Sequence, residues 1–184
     1  FTPSASAISF TTGTLNIGGD FTNNAAFTCG TGLVNYTGAA QLVKSTTYNN
    51  LTISGSGNKT MQGVVTSGGI LNLSNGALVL NNFLLTINGS LSQTAGTLTG
   101  GGTSDITIGT PAGASFSFPA VTGGLRNFTL NRTAGITLSG DNSVSGTLTL
   151  TSGKITLGTN NLTLSGVAAV AGAGAVNYIV ADGT

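Results

Sequence analysis

The sequence predicts an all-β fold, a β-solenoid wound at about 20 residues per coil, from three observations. Helix signals are nearly absent: the 184 residues include thirty Gly and no Glu. No stretch places apolar residues at i, i+3, i+4 and i+7 over three turns. Two-residue alternation runs through the chain instead, in strands too short for anything but small hairpins or a wound coil. The alternations also recur at a near-constant spacing, the mark of a solenoid.

The elements follow in order. Apolar–polar–apolar triplets stand at Leu15-Asn16-Ile17, Val34-Asn35-Tyr36, Leu51-Thr52-Ile53 and Leu71-Asn72-Leu73. They continue at Ile106-Thr107-Ile108, Phe116-Ser117-Phe118, Phe128-Thr129-Leu130 and Ile136-Thr137-Leu138. Three more fill residues 146–166: Leu148-Thr149-Leu150, Ile155-Thr156-Leu157 and Leu162-Thr163-Leu164. Each triplet directs two apolar side chains to one face and a polar one to the other. Leu51 to Leu71, Leu71 to Leu91, Leu78 to Leu98 and Phe128 to Leu148 are 20 residues apart, Leu85 to Ile106 is 21 and Ile136 to Ile155 is 19. Leu148 is therefore expected over Phe128, and Ile155 over Ile136. The three triplets of 146–166 become three sides of one coil, with Gly153, Gly158 and Asn160-Asn161 at its corners. Stacking at about 4.8 Å gives roughly nine coils and a rod on the order of 40 Å long.

A longer repeat overlies this one. Residues 48–89 align with 125–166 at an offset of 77 (128 − 51), with twelve of 42 positions identical. TLNIGGDF (14–21) matches LTINGSL (85–91) with Leu15 and Leu85 offset by 70. The chain reads as one solenoid segment, 1–184, built of super-repeats of about 70–77 residues (1–47 partial, 48–124, 125–184 partial), each three to four coils. Inward Leu, Ile, Val and Phe would form continuous apolar columns. Outward Thr suits a wet pleated surface, and Gly and Asn supply the corners. Stacked Asn bonding along the rod axis is expected at Asn49-Asn50, Asn81-Asn82 and Asn160-Asn161.

The stretches YNNLTISG, LRNFTLNRTAGITLSGDNSVSGTLTLTSGKITLGTNNLTLSG and TLNIGGDFTNNAAFTCGTG resemble the β-helical repeat regions of very large secreted surface proteins of Bacteroidota. These are adhesin-like and gliding-motility-like proteins, often exported by the type IX system. The resemblance covers nearly the whole chain. It implies a right-handed parallel β-helix, export to the extracellular or cell-surface space, and a role as stalk, adhesin or filament. It carries no catalytic residues.

Composition narrows the chemistry. Charged residues make up 5% of the chain and the net charge is +1. Lys44, Lys59, Arg126, Arg132 and Lys154 are scattered, which leaves no basic footprint for nucleic acid. The best apolar run, Val167 to Val176, is too short to span a bilayer. With no His, triads and ordinary zinc sites lack a member. The four acids, Asp20, Asp105, Asp141 and Asp182, are spread along the chain. Asp105 and Asp141 differ by 36 residues, nearly two coils rather than one, so a glycosidase-like pair is disfavoured. Asp is expected at turns, as in GGD (18–20) and ADG (181–183). GGTSD (101–105) is a weak calcium-loop match, and calcium at Asp105 or Asp20 stays open. No catalytic, cofactor or metal residue is assigned, and the chain is not read as an enzyme. Cys29, the single cysteine, reads as a small residue near a strand end.

The expected function is a structural and adhesive extracellular rod, continuing by end-to-end self-association or as part of a longer chain. The apolar, almost uncharged 167–184 stretch favours that continuation. A second reading is a glycan-binding β-helix, which would need clustered exposed aromatics among Tyr36, Tyr48 and Tyr178. Ice binding ranks lower, because it would need Thr-x-Thr on one strand in successive coils, and Thr97-Leu98-Thr99 and Thr147-Leu148-Thr149 lie far apart. A polysaccharide-degrading enzyme ranks lowest.

Overall fold

A computed structural model describes residues 7–22, 25–109 and 113–181. Among these the chain forms short strands and no helix, and every ladder is parallel. The strands wind as a three-faced β-solenoid of about eight turns. The first face carries Thr14–Ile17, Leu33–Tyr36, Asn50–Ile53, Ile70–Leu73 and Ser90–Gln93. The second carries Gln41–Val43, Asn58–Met61, Ala77–Val79, Thr97–Thr99 and Val121–Thr122. The third is a seven-stranded sheet from Thr47–Tyr48 to Ala169–Ala171. The first-face sheet gives way after Gln93 to a four-stranded sheet starting at Phe116–Phe118, and the second-face sheet gives way after Thr122 to a two-stranded one, Asn142–Val144 with Leu162–Leu164. The third sheet runs through this change without a break.

All six expected stackings occur: Leu71 on Leu51, Leu91 on Leu71, Leu98 on Leu78, Ile106 on Leu85, Leu148 on Phe128 and Ile155 on Ile136. Residues 146–166 do supply three sides of one coil, on three different sheets. Gly153 (φ +85°) and Gly158 (φ +58°) turn its corners in the left-handed region, where a Cβ would be strained. The coil count is about eight rather than nine. Register steps range from 17 (Leu33 to Asn50) to 24 (Ile155 to Ile179), so the corners absorb different lengths of chain.

The core is a set of axial columns. On the third face Val65, Leu85, Ile106, Phe128 and Leu148 lie one above another, all at most 1% exposed. At roughly 2 kcal/mol for each buried Leu or Ile, these columns dominate the stability. The 70–77-residue repeat does not map onto one side of the rod. Leu51 lies on the first face and its partner Phe128 on the third, as do Leu71 and Leu148, and Leu15 and Leu85. Counting strands from Leu51 to Phe128, one repeat advances three turns plus two faces. Successive copies are therefore turned relative to one another, and no surface patch recurs along one side with this period.

Candidate functional surfaces

The polar side chains are largely occupied in joining one turn to the next. Asp20 Oδ1 accepts from Leu42 N–H (2.8 Å), Asp141 Oδ1 from Asn161 N–H (2.7 Å), and Asn50 Oδ1 from Ile70 N–H (2.9 Å). Asn127 Oδ1 accepts from Thr147 N–H at 2.9 Å. Each is a bond to the strand start about 20 residues on. Corner Asn residues also donate backward, Asn81 Nδ2 to Met61 O (3.2 Å) and Asn160 Nδ2 to Leu138 O (2.8 Å). The expected axial role of Asn is present, but mainly as side chain to backbone. A direct Asn stack joins Asn35 Nδ2 to Asn16 Oδ1 (2.9 Å) on a strand, not at a corner.

Asp105 departs from the turn expectation, because it opens the strand Asp105–Ile108. Its carboxylate pairs with Arg126 (2.5 Å) and accepts from Asn127 N–H (3.1 Å). Burial pushes this carboxyl up, but the Arg126 and Asn127 hydrogen bonds and the Arg126 charge outweigh it, holding the pKa below the usual value. Asp141 precedes a second-face strand, so it does not meet Asp105 on one face. Asp182 lies outside the described residues, among which no group of three or more His, Cys, Asp or Glu could hold a metal.

Two cations that the sequence presents as scattered charges are buried. Lys59 is fully buried, and its ammonium donates to Ala39 O (2.9 Å), Ser56 O (2.6 Å) and Gly55 O. Burial pulls its pKa below the ordinary lysine value. The signal was its phase: Lys59 stands two residues before Met61 and stacks between Gln41 and Leu78 in an inward column. Arg132 donates from Nη2 to Asn88 O (2.7 Å) and Gly89 O (2.5 Å), and from Nη1 to Ala114 O (3.3 Å). Its guanidinium lies 5.1 Å from the Phe116 ring centroid. Arg132 thereby ties the corner where the first-face sheet gives way to the four-stranded one.

Tyr36 and Tyr48 are fully buried, their hydroxyls 2.9 Å apart, and Tyr48 donates to Lys44 O (2.8 Å). Burial raises Tyr36 to about 12 and Tyr48 well above 10.0. Of the three tyrosines only Tyr178 is exposed. A first-face groove of about 380 Å³ is lined by Leu33, Asn50, Thr52, Ile70, Asn72 and Ser92, with no aromatic ring. Cys29 is buried just after the strand Phe27–Thr28 and accepts from Asn49 N–H at 3.2 Å.

The third face carries a rank that the sequence reading missed: Thr47, Thr66, Thr86, Thr107, Thr129 and Thr149 stand in register over six turns. The adjacent outward rank is Leu84, Asp105, Asn127 and Thr147. The two-rank Thr surface required for ice binding is therefore not formed. Thr97 and Thr99 lie on the second face, Thr147 and Thr149 on the third. No helix among the described residues is long and apolar enough to cross a membrane. No protein-family model matches the chain, and neither a curated protein nor a solved structure matches it.

Proposed function

We propose that this chain is a structural and adhesive rod, a segment of a secreted cell-surface protein of the Bacteroidota repeat kind or a subunit of an extracellular filament. The observation that carries this reading is where the polar groups go. The described carboxylates, many of the amides and both buried cations are engaged in joining turns, not gathered into a cleft. What remains outside is a low-charge wall of Thr, Ser and Asn on a rigid ladder, suited to contact with other surfaces.

Location and adhesion are tested together. An antibody to the folded chain should label intact source cells or their culture medium, and the purified chain should coat a surface to which those cells adhere. Confinement to the cytosol after fractionation would overturn the reading. So would a surface-exposed rod whose removal leaves adhesion and cell-surface integrity unchanged.

A further inference from the structure

The sequence holds two Asn-Gly pairs, Asn75-Gly76 and Asn88-Gly89. In such a pair the backbone nitrogen of the glycine can attack the side-chain amide carbon of the asparagine, because no Cβ stands in its way. Asn is among the residues most readily lost to slow chemistry of this kind. The rate depends on how closely the fold holds the two atoms, since a displacement of about 1 Å can cost about 100-fold. The fold holds the two pairs differently.

Asn75-Gly76 lies in the corner between the strands Ile70–Leu73 and Ala77–Val79. Gly76 N–H donates to Asn75 Oδ1 at 2.9 Å, and among the described residues it donates to no backbone carbonyl. The nitrogen is therefore no more than about 4.1 Å from Asn75 Cγ, which lies one carbonyl bond beyond that oxygen. Rotation about χ2 turns the open face of Cγ toward it. Asn75 is exposed, so hydroxide reaches the site and ammonia leaves freely. At Asn88-Gly89, Arg132 Nη2 donates to Asn88 O (2.7 Å) and to Gly89 O. Asn88 Oδ1 lies against Gly109 in the next turn, and Gly89 rests on Gly69 in the turn below with no room for a Cβ. Ring closure there would have to move a peptide fixed from both sides.

We infer that Asn75 is a site of spontaneous covalent modification, converting to aspartate and isoaspartate in the folded rod while Asn88 is preserved. The deprotonated nitrogen of Gly76 attacks Cγ of Asn75. The new N–Cγ bond closes a succinimide ring, the Cγ–Nδ2 bond breaks, and the amide nitrogen leaves as ammonia with the proton that Gly76 gave up. A water molecule then opens the ring. Opening at Cγ leaves aspartate. Opening at the backbone carbonyl leaves isoaspartate, in which the main chain runs through Cβ and is longer by one carbon. Either product adds a carboxylate to a chain with five Lys and Arg and four Asp, so the net charge falls from +1 to zero. A net charge near zero promotes association. The isoaspartate form also lengthens a corner where Gly76 rests on Gly55 O and Gly57 O, the carbonyl of Gly55 being one that Lys59 ties from within.

Peptide mapping by mass spectrometry of the folded chain, incubated at mildly alkaline pH, reads both sites in one sample. Asn75 should convert about 10–100-fold faster than Asn88, with aspartate and isoaspartate both present at position 75. In urea, where neither pair is held, the two sites should convert at similar rates. Asn75→Gln, whose longer side chain would have to close a larger ring, should remove most of the charge loss seen on isoelectric focusing while leaving the circular dichroism spectrum unchanged. Equal rates at the two sites in the folded chain, or faster loss at Asn88, would overturn the inference. So would an Asn75 that stays intact in the folded chain over the time in which the urea sample converts. Aspartate without isoaspartate at position 75 would overturn the ring-closure step.

Discussion

Replacing Lys59 with Met isolates the most unusual contact in the core. The two side chains have similar length and volume, so packing is nearly kept. What is lost is the donor to Ala39 O, Ser56 O and Gly55 O. Gly55 O is the buried acceptor of the three, since Ala39 and Ser56 are exposed residues whose carbonyls water can reach. The loss is therefore that of one buried hydrogen bond to a charged donor, about 1–3 kcal/mol net. It is expected in urea unfolding followed by circular dichroism at neutral pH. Lys59→Gln, which keeps a donor, should recover part of it. A Met variant as stable as the parent would refute the reasoning, because the carbonyls would then be served by water or by relaxation of the corner.

Three further outcomes follow from the same geometry. Leu71→Ala, fully buried between Leu51 and Leu91, should lose about 2–5 kcal/mol in urea unfolding, whereas Leu164→Ala, at an exposed position, should lose less than about 1 kcal/mol. A Cβ on Gly89 would lie 1.7 Å from Gly69 O, so Gly89→Ala should force the turns apart at a loss of about 3 kcal/mol; Gly101→Ala, with open space around it, should stay within about 0.5 kcal/mol of the parent. Tyr36 and Tyr48 have raised pKa values in the fold, so their contribution is complete below the unfolded value of 10.0 and is lost as pH rises toward about 12. Lys59 acts in the opposite sense, its burial penalty fading up to the ordinary 10.5. Above that value stability should fall by roughly 1–3 kcal/mol per pH unit in urea titrations, and a flat profile would contradict the tyrosine assignment.

The stacking was legible because inward Leu, Ile and Phe recur with a two-residue phase inside a 20-residue one, and both periods come directly from strand and coil geometry. Leu148 over Phe128 needed nothing more. Lys59 and Arg132 were obscured because charge ordinarily marks the outside, while here backbone carbonyls at the corners reward an inward donor. The rotation of the long repeat was hidden because sequence identity reports which residues follow one another, whereas the face depends on how many strands intervene. The Thr rank on the third face escaped because its steps are 19, 20, 21, 22 and 20 residues, so no single offset displays it. Asp105 was placed at a turn by propensity, but its carboxylate is held on a strand by Arg126.

The central claim is a parallel coil with this register, and paired cysteines on the outward Thr rank test it without disturbing the core. Thr86 and Thr107 are direct neighbours in successive turns, while Thr86 and Thr129 are two turns apart. In a Cys29→Ser background, Thr86→Cys with Thr107→Cys should close a disulfide under mild oxidation, since strands about 4.8 Å apart fall within disulfide range. Thr86→Cys with Thr129→Cys, at about twice that separation, should leave two free thiols. Closure of the second pair, or failure of the first in a chain that remains folded, would contradict the register and with it the solenoid account.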